Sequence, residues 1–269
     1  MLTIHSFFDI SDFAHAELFQ PDAHPWQPLN ELKDYMNSFT YPIYDHPLVE
    51  SGVPLTQHII IHNGEFFSAT DTDIIYGDPT KGKLLVKKDG KELAGASVVM
   101  AGAVLIGNKI AIGRGVLIET GALIKSPTII GDMCEVRQGA YLRGYCLAGE
   151  RCVLGHTTEI KHSIFLNDAK AGHFAYLGDS ILGGNANLGA GTKFANLKFL
   201  PGNVTIFYDG QHIDTQRRKF GAILGDNSQT GCNSVTNPGT LMAKGTMLLP
   251  NTTAKGGYHP EKSIICVFH

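Results

Sequence analysis

Residues 100–166 read MAGAVLIGNKIAIGRGVLIETGALIKSPTIIGDMCEVRQGAYLRGYCLAGERCVLGHTTEIKHSIFL, and a branched or long aliphatic side chain returns at every sixth position. The markers are Met100, Ile106, Ile112, Ile118, Ile124, Ile130, Val136 and Leu142, then Leu154, Ile160 and Leu166, with Ala148 in the one weak slot. A helix repeats its buried face about every 3.6 residues and a strand every two, so neither keeps this register. A solenoid does. Three short strands and three corners make a triangular coil of about eighteen residues, and each coil completes the core and hydrogen bonding of its neighbours. Glycine often follows the marker, as at Gly107, Gly131 and Gly149, where a corner gains from a residue without a Cβ. The fold class expected is all-β, a parallel β-helix.

Beyond Leu166 the markers continue as Ala171, Leu177, Leu182, Leu188 and Phe194, so two sides are expected to lose a residue, near Ala171 and Leu182. Residues 196–222, NLKFLPGNVTIFYDGQHIDTQRRKFGA, break the repeat. Val204–Phe207 and Gln211–Asp214 flank an Asp209-Gly210 turn and predict a hairpin in a projecting loop over about 197–222. Coils resume at Leu224, Thr230, Thr236, Met242 and Leu248, which places the β-helix domain over residues 96–269.

Residues 1–95 lack this period and read as a small α+β domain. Ser11 is placed to cap a short helix over Asp12–Phe19. A second helix follows Pro28, with Leu29, Leu32, Met36 and Phe39 as its apolar stripe. Short strands are expected around His58–His62, Asp73–Tyr76 and Lys83–Lys87.

The chain has 269 residues, and its 22 basic and 25 acidic side chains are dispersed, giving a net charge of -3. No basic tract of the kind that holds nucleic acid is present, so neither DNA nor RNA is an expected partner. Nor is a membrane, since no apolar run is long enough to cross a bilayer. The start lacks the basic end of a secretory signal, and the five cysteines are odd in number and not paired at close spacing. A cytoplasmic location is the expectation.

Coils lie about 4.8 Å apart, so residues one repeat apart become neighbours. Arg143 and Lys161 are stacked this way, either as a solvated pair or as an anion site that offsets their repulsion. His156 and His173 stack likewise. With His162 they raise a zinc reading, but their spacing fits ordinary corner histidines at least as well, and no metal site is expected. His173 alone fits a structural corner residue or a general base, since an imidazole can take a proton from an amine attacking a thioester. Tyr176, Asn187 and Asn196 fit exposed polar residues or sugar-orienting groups, and Gly189–Gly191 exposes backbone amides to a ligand.

The stretch EIKHSIFLNDAKAGHFAYLGDSILGGNANLGAGTKFAN, residues 159–196, resembles the acetyltransferase half of bacterial N-acetylglucosamine-1-phosphate uridyltransferase. The Asn196 tract and IDTQRRKFGAILGDN bring it closer to the archaeal bifunctional sugar-1-phosphate nucleotidyltransferase/acetyltransferases, over about residues 100–255. The resemblance implies a left-handed parallel β-helix of hexapeptide repeats and a homotrimer with sites between subunits. It also implies acetyl-coenzyme A as co-substrate and an amino-sugar phosphate as acceptor, typically glucosamine 1-phosphate. On this chain His173 falls at the catalytic base, Arg143 and Lys161 at the sugar-phosphate contacts, and Tyr176, Asn187 and Asn196 at substrate positions. Ala190 falls where backbone meets the thioester end of the cofactor.

Two departures matter. No LxAGxGTRM-like loop occurs, so uridylyl transfer is not expected from these residues, and a separate nucleotidyltransferase is a conceivable partner. The bacterial NYDG tract is replaced by NLKF, leaving Lys198 or the Arg217, Arg218 and Lys219 cluster to stand in for a missing lysine. The alternative to an N-acetyltransferase is a catalytically quiet sugar-nucleotide-binding or regulatory homologue.

Overall fold

The computed structural model describes residues 2–44 and 46–266. From Ser97 the chain winds as a parallel β-helix of stacked coils with three sides. The first side runs from the strand Ser97–Val99 to Ile264–Ile265, the second from Val104–Ile106 to Thr253–Ala254, and the third from Ile110–Ile112 to Gly257–His259. The first sheet has eleven strands, of which two form an added hairpin, leaving nine coil strands; each of the other two sheets has eight. No helix among the described residues is long and apolar enough to cross a membrane.

The hexad markers fill the interior. Ile118, Ile124, Val136, Leu142 and Ile160 are fully buried in one core, each removal from water worth about 1.5–3 kcal/mol. Register departs from the expected markers in two places. Val99 pairs with Ile118 and Leu105 with Ile124, so Val99 and Leu105, not Met100 and Ile106, point inward in the first coil. The corner at Gly107–Lys109 therefore holds one residue more than the corner stacked on it, because Ile112 and Ile130 are again in register. Further on, Phe165 pairs with Ala148 and faces inward, while Leu166 is buried outside the coil. The two shortened sides consequently span Ile160 to Phe165 and Leu177 to Leu182, both between the second and third sheets, and Ala171 keeps full spacing.

The third side is apolar on both faces. Thr128–Ile130, Cys146–Ala148 and Ser163–Phe165 are buried throughout, as strands covered on both sides must be. Their outward Ile129, Leu147 and Ile164 meet Phe7, Phe8, Phe19, Trp26 and the buried stripe of helix α1 (Gln27–Ser38). In α1, Pro28 occupies the first turn and Leu29, Leu32 and Met36 are fully buried. The expected Ser11-capped helix is a single 3-10 turn, Ala16–Leu18, with no side-chain cap. Three aromatic residues, Phe8, Phe13 and Phe19, pack edge-on around it and hold the chain against the sheet in place of helical hydrogen bonds.

The hairpin Ile59–His62 and Glu65–Ser68 pairs antiparallel with Ser97–Val99 and covers the open end of the first sheet. Residues 196–221 leave between the second and third sheets. Their hairpin, Thr205–Tyr208 and Gln211–Asp214, turns at Asp209 and Gly210, both left-handed, and lays Val204 and Ile206 back into the outer cluster.

Candidate functional site

Both shortened sides and the excursion share one corner, between the second and third sheets. Losing a residue there draws the chain tight, and His162 and Asp179 adopt left-handed φ angles of 48° and 51° to make the turn. Their side chains are buried instead of solvated. Asp179 Oδ1 accepts from Arg217 Nη2 at 2.9 Å, Oδ2 accepts from Asn196 Nδ2 at 2.7 Å, and Lys161 Nζ stands 3.4 Å away. Burial pushes this carboxyl up, but the His162 hydrogen bond, the Lys161 charge and the Asn196 amide outweigh it and hold it at about 2. His162 Nδ1 lies 3.3 Å from both Asp179 and Arg217. Burial lowers the imidazole pKa more than Asp179 raises it, so this ring is neutral near pH 7 and its approach to Asp179 is not an ion pair.

Arg217 ties the excursion to the rest. Its Nη1 donates to Leu29 O at 2.9 Å and Asn30 Oδ1 at 3.0 Å, and its Nε to Lys219 O at 3.1 Å. Helix α1, the excursion and the tight corner thus enclose a cavity of about 660 Å³. Lys33, Arg143, Lys161, Arg217, Arg218 and Lys219 line it, and Asp179 is the one carboxylate among its described lining residues.

Arg143 and Lys161 therefore line one cavity, one coil apart as their spacing places them. Arg143 bonds Glu159 at 2.6 Å, an exposed pair worth at most about 1 kcal/mol and open to exchange for a phosphate oxygen. Asn196 joins the same corner through Asp179. Tyr176, on the second sheet between Glu159 and Lys193, puts its hydroxyl over Gly178, where any Cβ would collide with it and with the Asn196 amide. Lys198 donates to the Asn203 carbonyl within its own loop, whereas Arg217, Arg218 and Lys219 reach the cavity.

His173 and Ala190 occupy a different corner, between the first and second sheets. The register that pairs Lys170 with Asn187 and Ala171 with Leu188 carries Ala190 over His173, and Gly191 N–H donates to the His173 carbonyl at 3.0 Å. The Ala190 carbonyl accepts from Asn233, while its N–H has no backbone partner among the described residues. His173 is exposed, as are neighbouring Phe174 and Asn187 on the first sheet. His156 is directly stacked on His173, but His162 belongs to the other corner, and no group of three metal-ligating side chains forms among the described residues.

The structure thus gathers the expected residues into two groups. His173 and Asp179 are six positions apart, at most about 20 Å if extended, and the second-sheet strand Tyr176–Gly178 lies between them. Lys33 and Asp179 were not signalled by the sequence, and His162 was weighed there only as a partner of His156 and His173 in a zinc reading. Their meeting depends on the shortened corner and on packing between segments far apart in the chain.

Relatives of known description add to this geometry. The chain is similar to archaeal nucleotidylyltransferase/acetyltransferases of sugar 1-phosphates. It is 35% identical over 111 residues, 41% of this chain and 28% of the relative, to the bifunctional sugar-1-phosphate nucleotidylyltransferase/acetyltransferase of Sulfurisphaera tokodaii. It is 37% identical over 112 residues to the bifunctional protein GlmU of Methanococcus vannielii, covering 42% of this chain and 27% of that protein. With GlmU of Methanococcus aeolicus the match is 36% over 166 residues, 62% of this chain and 39% of the relative. The matched segments span about a quarter to two fifths of those relatives' lengths. No protein-family model matches the chain. Among solved structures, Arabidopsis UDP-N-acetylglucosamine acyltransferase overlaps 60% of this chain and 70% of that one at 14% identity, with a TM-score of 0.26, too loose to bear on the argument.

Proposed function

We propose that the protein is an acetyl-coenzyme A-dependent N-acetyltransferase acting on the amine of an amino-sugar phosphate, with glucosamine 1-phosphate as the first acceptor to test. The observation that carries the reading is the pairing of a cation-lined pocket at one corner with His173 under the Ala190 amide at the next. Arg143 and Lys161 hold the acceptor phosphate, and Tyr176, Asn187 and Asn196 orient the sugar. The amine attacks the thioester carbonyl and forms the new C–N bond. His173 accepts the ammonium proton, the Ala190 N–H stabilises the oxyanion, and the C–S bond breaks to release coenzyme A. No acyl-enzyme is required. In this reading a cytoplasmic homotrimer brings the His173 corner of one copy to the cation corner of the next, covering Phe174, which is 54% exposed beside His173, and Phe199, wholly exposed on the excursion.

The test is release of free coenzyme A from acetyl-coenzyme A with glucosamine 1-phosphate and, in parallel, other amino-sugar phosphates. His173→Ala is expected to lower kcat by about 10²- to 10⁴-fold with the fold and assembly unchanged. Retained turnover in that variant would remove the base assignment. Tight binding without turnover for every acceptor would instead favour a quiet sugar-nucleotide binder.

A further inference from the structure

The cavity at the tight corner has more cationic surface than Arg143 and Lys161 supply. Arg217 is spent on Asp179, Leu29 and Asn30, and Arg218 donates to the Leu200 and Gly202 carbonyls at the base of the excursion. Lys33 and Lys219 remain. They come from α1 and from the end of the excursion, both are exposed, and neither forms an ion pair among the described residues. Lys33 stands 5.6 Å from the centre of the Tyr145 ring, also in the cavity wall. Two ammonium groups facing the same space as Arg143 and Lys161 repel one another unless an anion lies among them. The four come from three separate segments around a cavity of about 660 Å³, far more space than one phosphoryl group fills.

We infer that Lys33 and Lys219 form a second phosphoryl subsite beside Arg143 and Lys161, so that the pocket takes an acceptor bearing a diphosphate, a nucleoside diphosphate-linked amino sugar. This rests on the acceptor-phosphate reading of Arg143 and Lys161. A linked diphosphate spreads its charge over two phosphorus centres, one for each pair of cations, whereas a sugar 1-phosphate concentrates a similar charge on one. The cavity volume of about 660 Å³ lies within the range of about 300–1,000 Å³ for small-molecule sites and leaves room for more than a sugar phosphate. The same diphosphate chemistry occurs in coenzyme A. The acceptor is favoured because these lysines line the same cavity as the acceptor cations.

The experiment measures binding by calorimetry with two probes that lack the reacting amine, glucose 1-phosphate and UDP-glucose, and with coenzyme A as a third. Wild-type protein is expected to bind UDP-glucose at least tenfold tighter than glucose 1-phosphate. The K33A/K219A double variant, in which two exposed side chains are shortened, should lose most of that advantage, with glucose 1-phosphate and coenzyme A affinities within about twofold of wild type. Arg143→Ala should weaken both sugar probes. Equal affinity for the two sugar probes in wild type, or an advantage that persists in the double variant, overturns the second subsite. So does a tenfold loss for coenzyme A with UDP-glucose unchanged. Failure of the first reading looks different, since Arg143→Ala would then leave glucose 1-phosphate binding unaltered.

Discussion

Replacing Asp179 with asparagine keeps the size of the side chain and removes its charge. Arg217, whose side chain is 12% exposed, would then keep its bonds to Leu29 and Asn30 but lose the only carboxylate within reach among the described residues. Breaking a buried pair by removing one partner costs about 3–5 kcal/mol, and the lower end applies because Asn can still accept one bond. The loss is local. Phe220 N–H donates to Asn196 O and Gly221 N–H to Asp179 O, both at 2.9 Å, so these amides report whether the excursion stays docked. At about 3 kcal/mol their opening becomes roughly 100-fold more frequent. Native-state hydrogen exchange should show that acceleration at Phe220 and Gly221, while the amide of Leu123, bonded to Ala140 O in an early coil, changes less than threefold. The carboxyl also has a pH signature. Its folded value of about 2 lies below its ordinary 3.8, so its contribution, about 2 kcal/mol, is complete above 3.8 and is lost as pH falls from there toward 2. Asp179→Asn should lack that acid-side loss. Unchanged exchange at Phe220 and Gly221 would refute the view that this network holds the excursion in place.

Three further outcomes follow from the same packing. Phe220→Ala removes a fully buried ring 6.0 Å from Trp26 and should cost about 3–5 kcal/mol, seen as a lower urea midpoint. His162 has a folded pKa below its ordinary 6.5, so the unfolded chain takes up its proton first and stability falls as pH drops below 6.5; His162→Gln should flatten that part of the curve. Gly178→Ala places a Cβ against the Tyr176 hydroxyl and the Asn196 amide, and should raise the acceptor KM about tenfold or more while the coil strands remain folded, checked by circular dichroism.

The repeat was legible where one aliphatic residue stood between charged ones, as at Val136 and Ile160, and it held at Ile118 and Ile124 although a leucine precedes each. It misled at three of the places where two apolar residues are adjacent. Val99 beside Met100, Leu105 beside Ile106 and Phe165 beside Leu166 each offer two inward candidates, and the choice is made by corner length and by what covers the outside. Leu166 is apolar because the N-terminal segment packs over it, a demand no period expresses. The helix after Pro28 and the Asp209-Gly210 hairpin were readable from local chemistry, while the Ser11 cap failed because aromatic packing, and not a capped helix, fixes that segment. Stacking placed Arg143 with Lys161 correctly. It could not place Lys33, Asp179 and Arg217 together, since they come from three segments joined only by tertiary contacts.

The most direct test of the central claim uses two inactive variants, His173→Ala and Arg143→Ala, expressed together so that mixed assemblies form. If the base of one copy serves the phosphate pocket of the next, random mixing in a ring rebuilds an intact site at about a quarter of the boundaries, and the mixture should recover about a quarter of wild-type acetyl transfer. Mixed assemblies as inactive as either parent would contradict the account.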